Sequence, residues 1–184
     1  MNEKTAGRSA FTTRTLVMMA MFAAILCVSA YISIPLPIMG APHITLLNFV
    51  ILLIALLFSS VQAFLVILVW MILGALGIPV FIGGAAGVGY LLNAWGGYTL
   101  SFLVIGLLLP VLRGTKYSRL RYTAAAVFGA LLIDFLGMLY LMAMTHIGLK
   151  AGILTGFLPF LPLDLIKAAV AAQIVPAFRR LIRE

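Results

Sequence analysis

FLPFLPLDLIKAAVAAQIVPAF, residues 157–178, is among the most apolar stretches of the chain, yet it carries Asp164 and Lys167. At 22 residues it exceeds the roughly 20 that a membrane helix needs. A charged side chain in hydrocarbon costs about 2.5–3.5 kcal/mol on insertion scales and persists where it faces a protein interior or cavity with a partner. The pattern therefore reads as a binding or transport site inside a membrane bundle. Residues three apart share a helix face, and Pro159 and Pro162 suit the first turn of the helix. At 1.5 Å per residue, Lys167 lies about 7–8 Å below the helix start. Its ammonium is placed to receive a ligand carboxylate. Asp164 is placed to orient the lysine or to accept a hydrogen bond from a ligand N–H. A self-satisfied ion pair that only fixes helix packing is the plainer alternative.

The rest of the chain agrees with a membrane setting. Of 184 residues, 65% are hydrophobic and 9% charged, with a mean hydropathy of +1.25. A soluble domain carries about 25% charged residues. Six apolar segments can be drawn: about Thr15–Ile32, Thr45–Phe58, Val61–Leu76, Tyr98–Leu112, Ala124–Met144 and Phe157–Ile182. The expected fold is an all-α bundle of six transmembrane helices in one domain, 1–184, behind a basic segment, 1–14. The second and third spans, joined only by Ser59–Ser60, should form a tight hairpin.

Charge sets the orientation. Lys4, Arg8 and Arg14 precede the first span; Arg113, Lys116, Arg119 and Arg121 separate the fourth and fifth; Arg179, Arg180 and Arg183 follow the sixth. With six spans these clusters share one side and hold ten of the 12 Lys and Arg, so both termini are expected in the cytoplasm. Lys150 lies opposite and Lys167 within the membrane. A cleavable signal peptide ending near Val28-Ser29-Ala30 is the rival reading of the first segment and would leave five spans. Basic residues at span ends, without an interleaved aromatic face, point to topology and anionic lipid rather than nucleic acid.

The first two outer loops carry no formal charge. Ile34-Pro35-Leu36-Pro37 and Gly40-Ala41-Pro42 follow the first span. Gly77-Ile78-Pro79-Val80-Phe81 and Gly83, Gly84, Gly87 and Gly89 follow the third. Such loops should fold back over the bundle as a lid or form an interfacial turn. Asn48, Tyr90, Asn93, Trp95, Tyr98 and Thr99 are candidates to line a pocket, although Trp and Tyr also serve as interface anchors. Asp134, near the middle of the fifth span, reads as a proton relay, a second ligand contact, or a buried carboxyl bonded to neighbouring helices. His43 and His146 have no metal-ligand partner at a usual spacing, and Cys27 is the only cysteine. The glycine run lacks a Gly-Lys-Ser/Thr ending, so ATP hydrolysis, if used, belongs to another subunit. No cofactor and no enzymatic motif are expected. Ala20 and Ala24 form a small-xxx-small pair that admits a close helix partner.

Taken in order, several segments carry a resemblance: Ala20-Met21-Phe22-Ala23-Ala24, Gly77-Ile78-Pro79-Val80-Phe81, Gly96-Gly97-Tyr98, Asp134-Phe135-Leu136-Gly137 and Pro162-Leu163-Asp164-Leu165-Ile166-Lys167-Ala168. Together they resemble the BioY family, the biotin-specific substrate-binding S components of energy-coupling factor (ECF) transporters. The resemblance implies a six-helix S component with a pocket near the outer face, gated by the loop after the first span. It implies Asp164 and Lys167 as substrate contacts. It also implies docking of Ala20 and Ala24 on a transmembrane coupling subunit driven by two ATPases. Family members commonly have Gly-Pro-Thr/Ser where this chain has Asn93-Ala94-Trp95. Some carry an arginine and an asparagine where this chain has Thr99 and Ala85. Biotin is the expected substrate, with a related carboxylate such as lipoate, or a proton-linked carrier using Asp134, as alternatives.

Overall fold

The structure, a computed structural model, describes residues 11–35 and 43–183, with side chains as far as Arg179. Lys4, Arg8, the loop residues Leu36, Pro37, Gly40, Ala41 and Pro42, and the side chains of Arg180 and Arg183 lie outside the described residues. The helices are α1 (Thr13–Ser29), α2 (Leu47–Leu57), α3 (Ser60–Ala75), α4 (Val88–Leu91), α5 (Gly96–Arg113), α6 (Arg119–Thr145), α7 (Leu149–Gly152) and α8 (Leu161–Arg183). By length and composition α5, α6 and α8 can each cross a membrane, and α1, α2 and α3 are shorter apolar helices.

The six longer helices run up and down. α5 packs along α6, α6 along α8, and α2 sits between α5 and α8, with α1 against α3. The exterior is as apolar as the interior. Leu16, Val17, Met21, Ile25 and Val28 on α1, and Ile166 and Val170 on α8, point outward, as expected of helices facing lipid rather than water. α2 is the exception. Its 11 residues span only about 16 Å, and Val50 to Leu57 are all buried. A central helix sheltered on every side has no need of a distinct apolar face. Its turn into α3 follows from Ser59 and Gln62, which form a reciprocal capping box.

Three features differ from expectation. The expected all-α bundle stands but carries one small β ribbon that was not expected: β1 (Ser33–Pro35) pairs antiparallel with β2 (His43–Thr45), with Ile34 opposite Ile44. β-Branched residues favour that pairing, but strands of three residues, the first ending on Pro35, are too short to show a period of two. The sixth span starts at Leu161 rather than Phe157 because Ile153–Phe157 forms a π-turn, in which Leu158 N donates to Ile153 O at 2.9 Å. Arg113, expected as a surface charge, is buried. Its guanidinium donates to the carbonyls of Ala55 (3.2 Å), Leu57 (3.4 Å), Phe58 (2.6 Å) and Gly114 (3.1 Å) and to the Tyr122 hydroxyl (2.7 Å). The last turn of a helix leaves carbonyls without intrahelical donors. A cation at this negative end of the helix dipole satisfies those of α2. Arg179 also donates to the Tyr122 hydroxyl and lies over its ring, 4.9 Å from the centroid.

The two ends of the bundle therefore differ. One end holds Arg14, Arg113, Lys116, Arg119, Arg121 and Arg179. The opposite end is built from the β ribbon, the segment from Leu76 to Trp95, and the turns before α8. That segment is pinned inward. Phe81 is fully buried, edge-on to Trp70 at 5.3 Å and stacked on Tyr90 at 4.8 Å. Trp70 Nε1 donates to Val80 O at 3.0 Å. Gly83 N reaches Ala30 O at 3.0 Å, and Gly87 N reaches Gly74 O at 2.7 Å. Gly83 and Gly84 are both left-handed, φ 69° and 79°, a turn that only glycine makes twice without strain.

Candidate functional site

A cavity of about 290 Å³ opens at the end away from the basic residues, lined by His43, Thr45, Asn48, Ile82, Ala85, Tyr90, Asn93, Trp95, Tyr98, Asp134 and Phe160. Its size is near the lower end of small-molecule pockets, roughly 300–1,000 Å³. The β ribbon, the start of α2, the glycine-rich segment, the start of α5, the middle of α6 and the turn before α8 each contribute residues. Six chain segments meet here because irregular backbone at this end can approach more closely than regular helices.

One wall is aromatic. Trp95 and Tyr98 stack at 5.8 Å, and Phe160 lies tilted on Tyr98 at 5.5 Å. Tyr98 is held by its hydroxyl, which donates to Gly156 O, and by the bare backbone of Gly137, where a Cβ would stand 2.2 Å from the ring. The Asn93 side chain accepts from Trp95 N at 2.8 Å, an Asx turn that sets the entry into α5. Tyr90 packs against Phe81, with its hydroxyl 3.5 Å from Thr99 Oγ1. Burial pushes the Tyr90 phenol above its ordinary pKa, so it stays protonated and able to donate. Ala85 accepts from Phe81 N at 3.0 Å, closing the glycine-rich turn. His43 Nδ1 lies 3.2 Å from Ser33 Oγ.

The charged pair sits behind this lining. Lys167 Nζ donates to Asp164 Oδ1 at 2.8 Å, and Asn48 Nδ2, on the cavity wall, donates to Asp164 Oδ2 at 2.9 Å. Asp164 is buried and Lys167 partly so. The relay Lys167–Asp164–Asn48 thus connects the charge on α8 to the cavity through α2. Asp134, from α6, lies beside Asp164 and lines the cavity. Its carboxyl is buried against that of Asp164 on α8, so the two helices share a carboxyl pair at the cavity.

Of the residues singled out from sequence, Ala85, Tyr90, Asn93, Trp95, Tyr98, Asn48 and Asp134 meet at the cavity. Lys167 and Asp164 stand one side chain behind it, and Thr99 is fully buried next to Tyr90. Thr45, Ile82 and Phe160 were not anticipated. His146 caps α6 in a left-handed conformation, outside the cavity lining. Ala20 and Ala24 are exposed on the outer face of α1. Among the described residues no group of three metal-ligating side chains occurs.

Comparison with known proteins now bears on this geometry. The family model described as "BioY family" matches residues 1–184. Biotin transporter BioY of Thermotoga maritima is 34% identical over 168 residues, covering 91% of this chain and 97% of that protein. Biotin transporter BioY2 of Lactococcus lactis is 34% identical over 155 residues, 84% of each. A crystal structure of the S-component for biotin from an ECF-type ABC transporter superposes with a TM-score of 0.81 at 26% identity, covering 95% of both chains. A match over the full length, shared by fold and sequence alike, establishes that the chain belongs to the BioY family.

Proposed function

We propose that the chain is the substrate-binding S component of an ECF transporter and that its ligand is biotin. The observation that carries this reading is the cavity itself: one small-molecule-sized space at the end away from the basic residues, with an aromatic wall and a few converging polar groups. Such a lining suits a compact ligand with an apolar body and a few hydrogen-bonding groups. The names of the relatives and of the structural neighbour support biotin over lipoate. Trp95, Tyr98, Tyr90 and Ala85 pack on the apolar body, and Asn93 and Asn48 hydrogen-bond. Lys167 and Asp164 set the charge of the site through Asn48, and Thr99 positions Tyr90.

The positive-inside rule supports a cytoplasmic basic end and a cavity open to the outside. The exposed Ala20–Ala24 face of α1 supports close docking on a coupling subunit, with ATP hydrolysis supplied by partner ATPases and no cofactor held by this chain. Calorimetric titration of the purified chain with biotin, in detergent and without partner subunits, tests the reading. Saturable one-to-one binding that lipoate does not compete away is expected. No binding, or equal binding of both acids, would sink it. Proteoliposomes holding this chain alone should bind without pH-driven uptake.

A further inference from the structure

His43 lines the cavity from β2, and the reading above gives it no part. Its ring is held on two sides. Nδ1 lies 3.2 Å from Ser33 Oγ on β1, and Cε1 packs beside Gly83, 3.5 Å from where a Cβ would stand. His43 therefore bridges the β ribbon and the glycine-rich turn, two of the elements that close this end of the bundle. A hydroxyl accepts as well as donates, so Ser33 partners the ring whether neutral or protonated. A protonated ring keeps its Nε2–H for a ligand.

A carboxylate shut into a cavity of about 290 Å³ gives up water and needs a cation in exchange. Among the described residues that line the cavity, His43 alone can carry positive charge. The sequence between the two strands, residues 36–42, contains no basic residue. Lys167 stands outside the lining, and its ammonium is engaged by Asp164. Toward the middle of α6 Asp134 is buried against Asp164, so a ligand carboxylate there would meet two carboxyl groups at low dielectric. The ribbon side of the cavity is the side that can neutralise it.

We infer that His43 is a specificity-determining residue whose imidazolium binds the ligand carboxylate from the ribbon. This rests on the ligand being the carboxylate proposed above. Imidazole gains its charge between about pH 8 and 5, so affinity should rise as the pH falls. β1 and the turn Ile82–Gly84, which pack against β2, bring no titratable side chain of their own, and Tyr31 stands beside Gly84. Across the cavity the titratable groups are Tyr90, Tyr98 and Asp134, with Asp164 and Lys167 behind them.

The experiment titrates the full chain, His43→Gln and His43→Ala with biotin and with biotinamide, its neutral carboxamide, at about pH 6 and about pH 8, and records melting temperatures without ligand. An ordinary carboxylic acid is ionised at both values. The unaltered chain should bind biotin about tenfold tighter at the lower pH and bind the amide equally at both. Loss of a charge-assisted hydrogen bond should weaken biotin about 10- to 100-fold at the lower pH in both variants, leave the amide unchanged, and remove the gain on acidification. A gain that survives in His43→Gln belongs to Asp134 or another group and overturns the inference. Equal weakening of acid and amide, with a lowered melting temperature, marks a structural role for the ring and overturns it too, as does unchanged biotin affinity. Each of these results leaves the proposed function standing. Failure of the unaltered chain to bind biotin overturns both together.

Discussion

Replacing Arg113 with alanine should destabilise the bundle from the end remote from the cavity. The guanidinium serves the carbonyls of Ala55, Leu57 and Phe58 at the end of α2, together with Gly114 O and the Tyr122 hydroxyl. α2 is buried throughout its last two turns, so the freed carbonyls have few other donors. Each unsatisfied buried acceptor costs about 1–3 kcal/mol. Water entering beside the exposed Ser59 offsets part of this, leaving a net loss of about 3–5 kcal/mol for three carbonyls. At roughly 2–4 °C per kcal/mol for a chain of this size, the melting temperature falls by about 10 °C. Arg113→Lys keeps the charge but not the planar fork that reaches carbonyl and hydroxyl together, and should recover about half. The assay is thermal unfolding in detergent, followed by tryptophan fluorescence, with biotin affinity measured below the transition. Affinity should be unchanged. A melting temperature within 2 °C of the parent for Arg113→Ala, or equal values for Ala and Lys, would refute the capping argument; about 2 °C corresponds to less than 1 kcal/mol.

Other positions give sharper readouts at the cavity. Gly137→Ala places a Cβ 2.2 Å from the Tyr98 ring; overpacking costs about 1–3 kcal/mol, so biotin affinity should drop about tenfold, and an unchanged titration would mean that Tyr98 is not a wall of the site. Lys167→Met leaves Asp164 buried without its cation, a change expected to cost about 3–5 kcal/mol. The double variant Lys167→Met with Asp164→Asn should regain most of that stability in a melting assay. If it melts no higher than the single variant, the two residues are not energetically coupled. Ala24→Trp on the exposed face of α1 should leave titrated biotin affinity intact and abolish ATP-dependent uptake in vesicles carrying the whole transporter; retained uptake would place the docking face elsewhere.

How far sequence alone reaches depends on whether a signal is local. Helices declare themselves by sustained hydropathy, and Asp164 and Lys167 stand out because a charge in hydrocarbon is costly wherever the chain goes. The partner of Asp164 does not stand out. Asn48 lies 116 residues earlier, and no spacing rule links them. Asp134 reads as isolated for the same reason, because only the packing of α6 on α8 brings it to Asp164. Phe160 and Thr45 are ordinary residues near the starts of apolar segments until the cavity forms around them. Arg113 misleads in the opposite direction. Position at a span end suggests a headgroup charge, whereas burial makes it a helix cap, and the difference lies in the shortness of α2 rather than in any residue near Arg113 in the chain.

The unequal construction of the two ends constrains how a bound ligand can leave. At the basic end α2, α5, α6 and α8 are tied through one node, with Arg113 and Arg179 converging on Tyr122 and Arg113 holding the end of α2. Opening there would break several charge-assisted hydrogen bonds at once, each worth about 1.5–3 kcal/mol. At the cavity end the closing elements are a three-residue ribbon, a glycine turn and the Tyr31 hydroxyl on Pro79 O, contacts that can separate a few at a time. With those ties at one end and separable contacts at the other, ligand should enter and leave through the same mouth. Delivery to the opposite side of the membrane then requires the mouth itself to be carried there, and a tie that keeps the basic end rigid during such a rotation is an advantage rather than an obstacle. Cross-linking α2 to α6 at the basic end should therefore leave uptake by the complete transporter intact, whereas a carrier that alternates access by parting its helices would be arrested by the same bond.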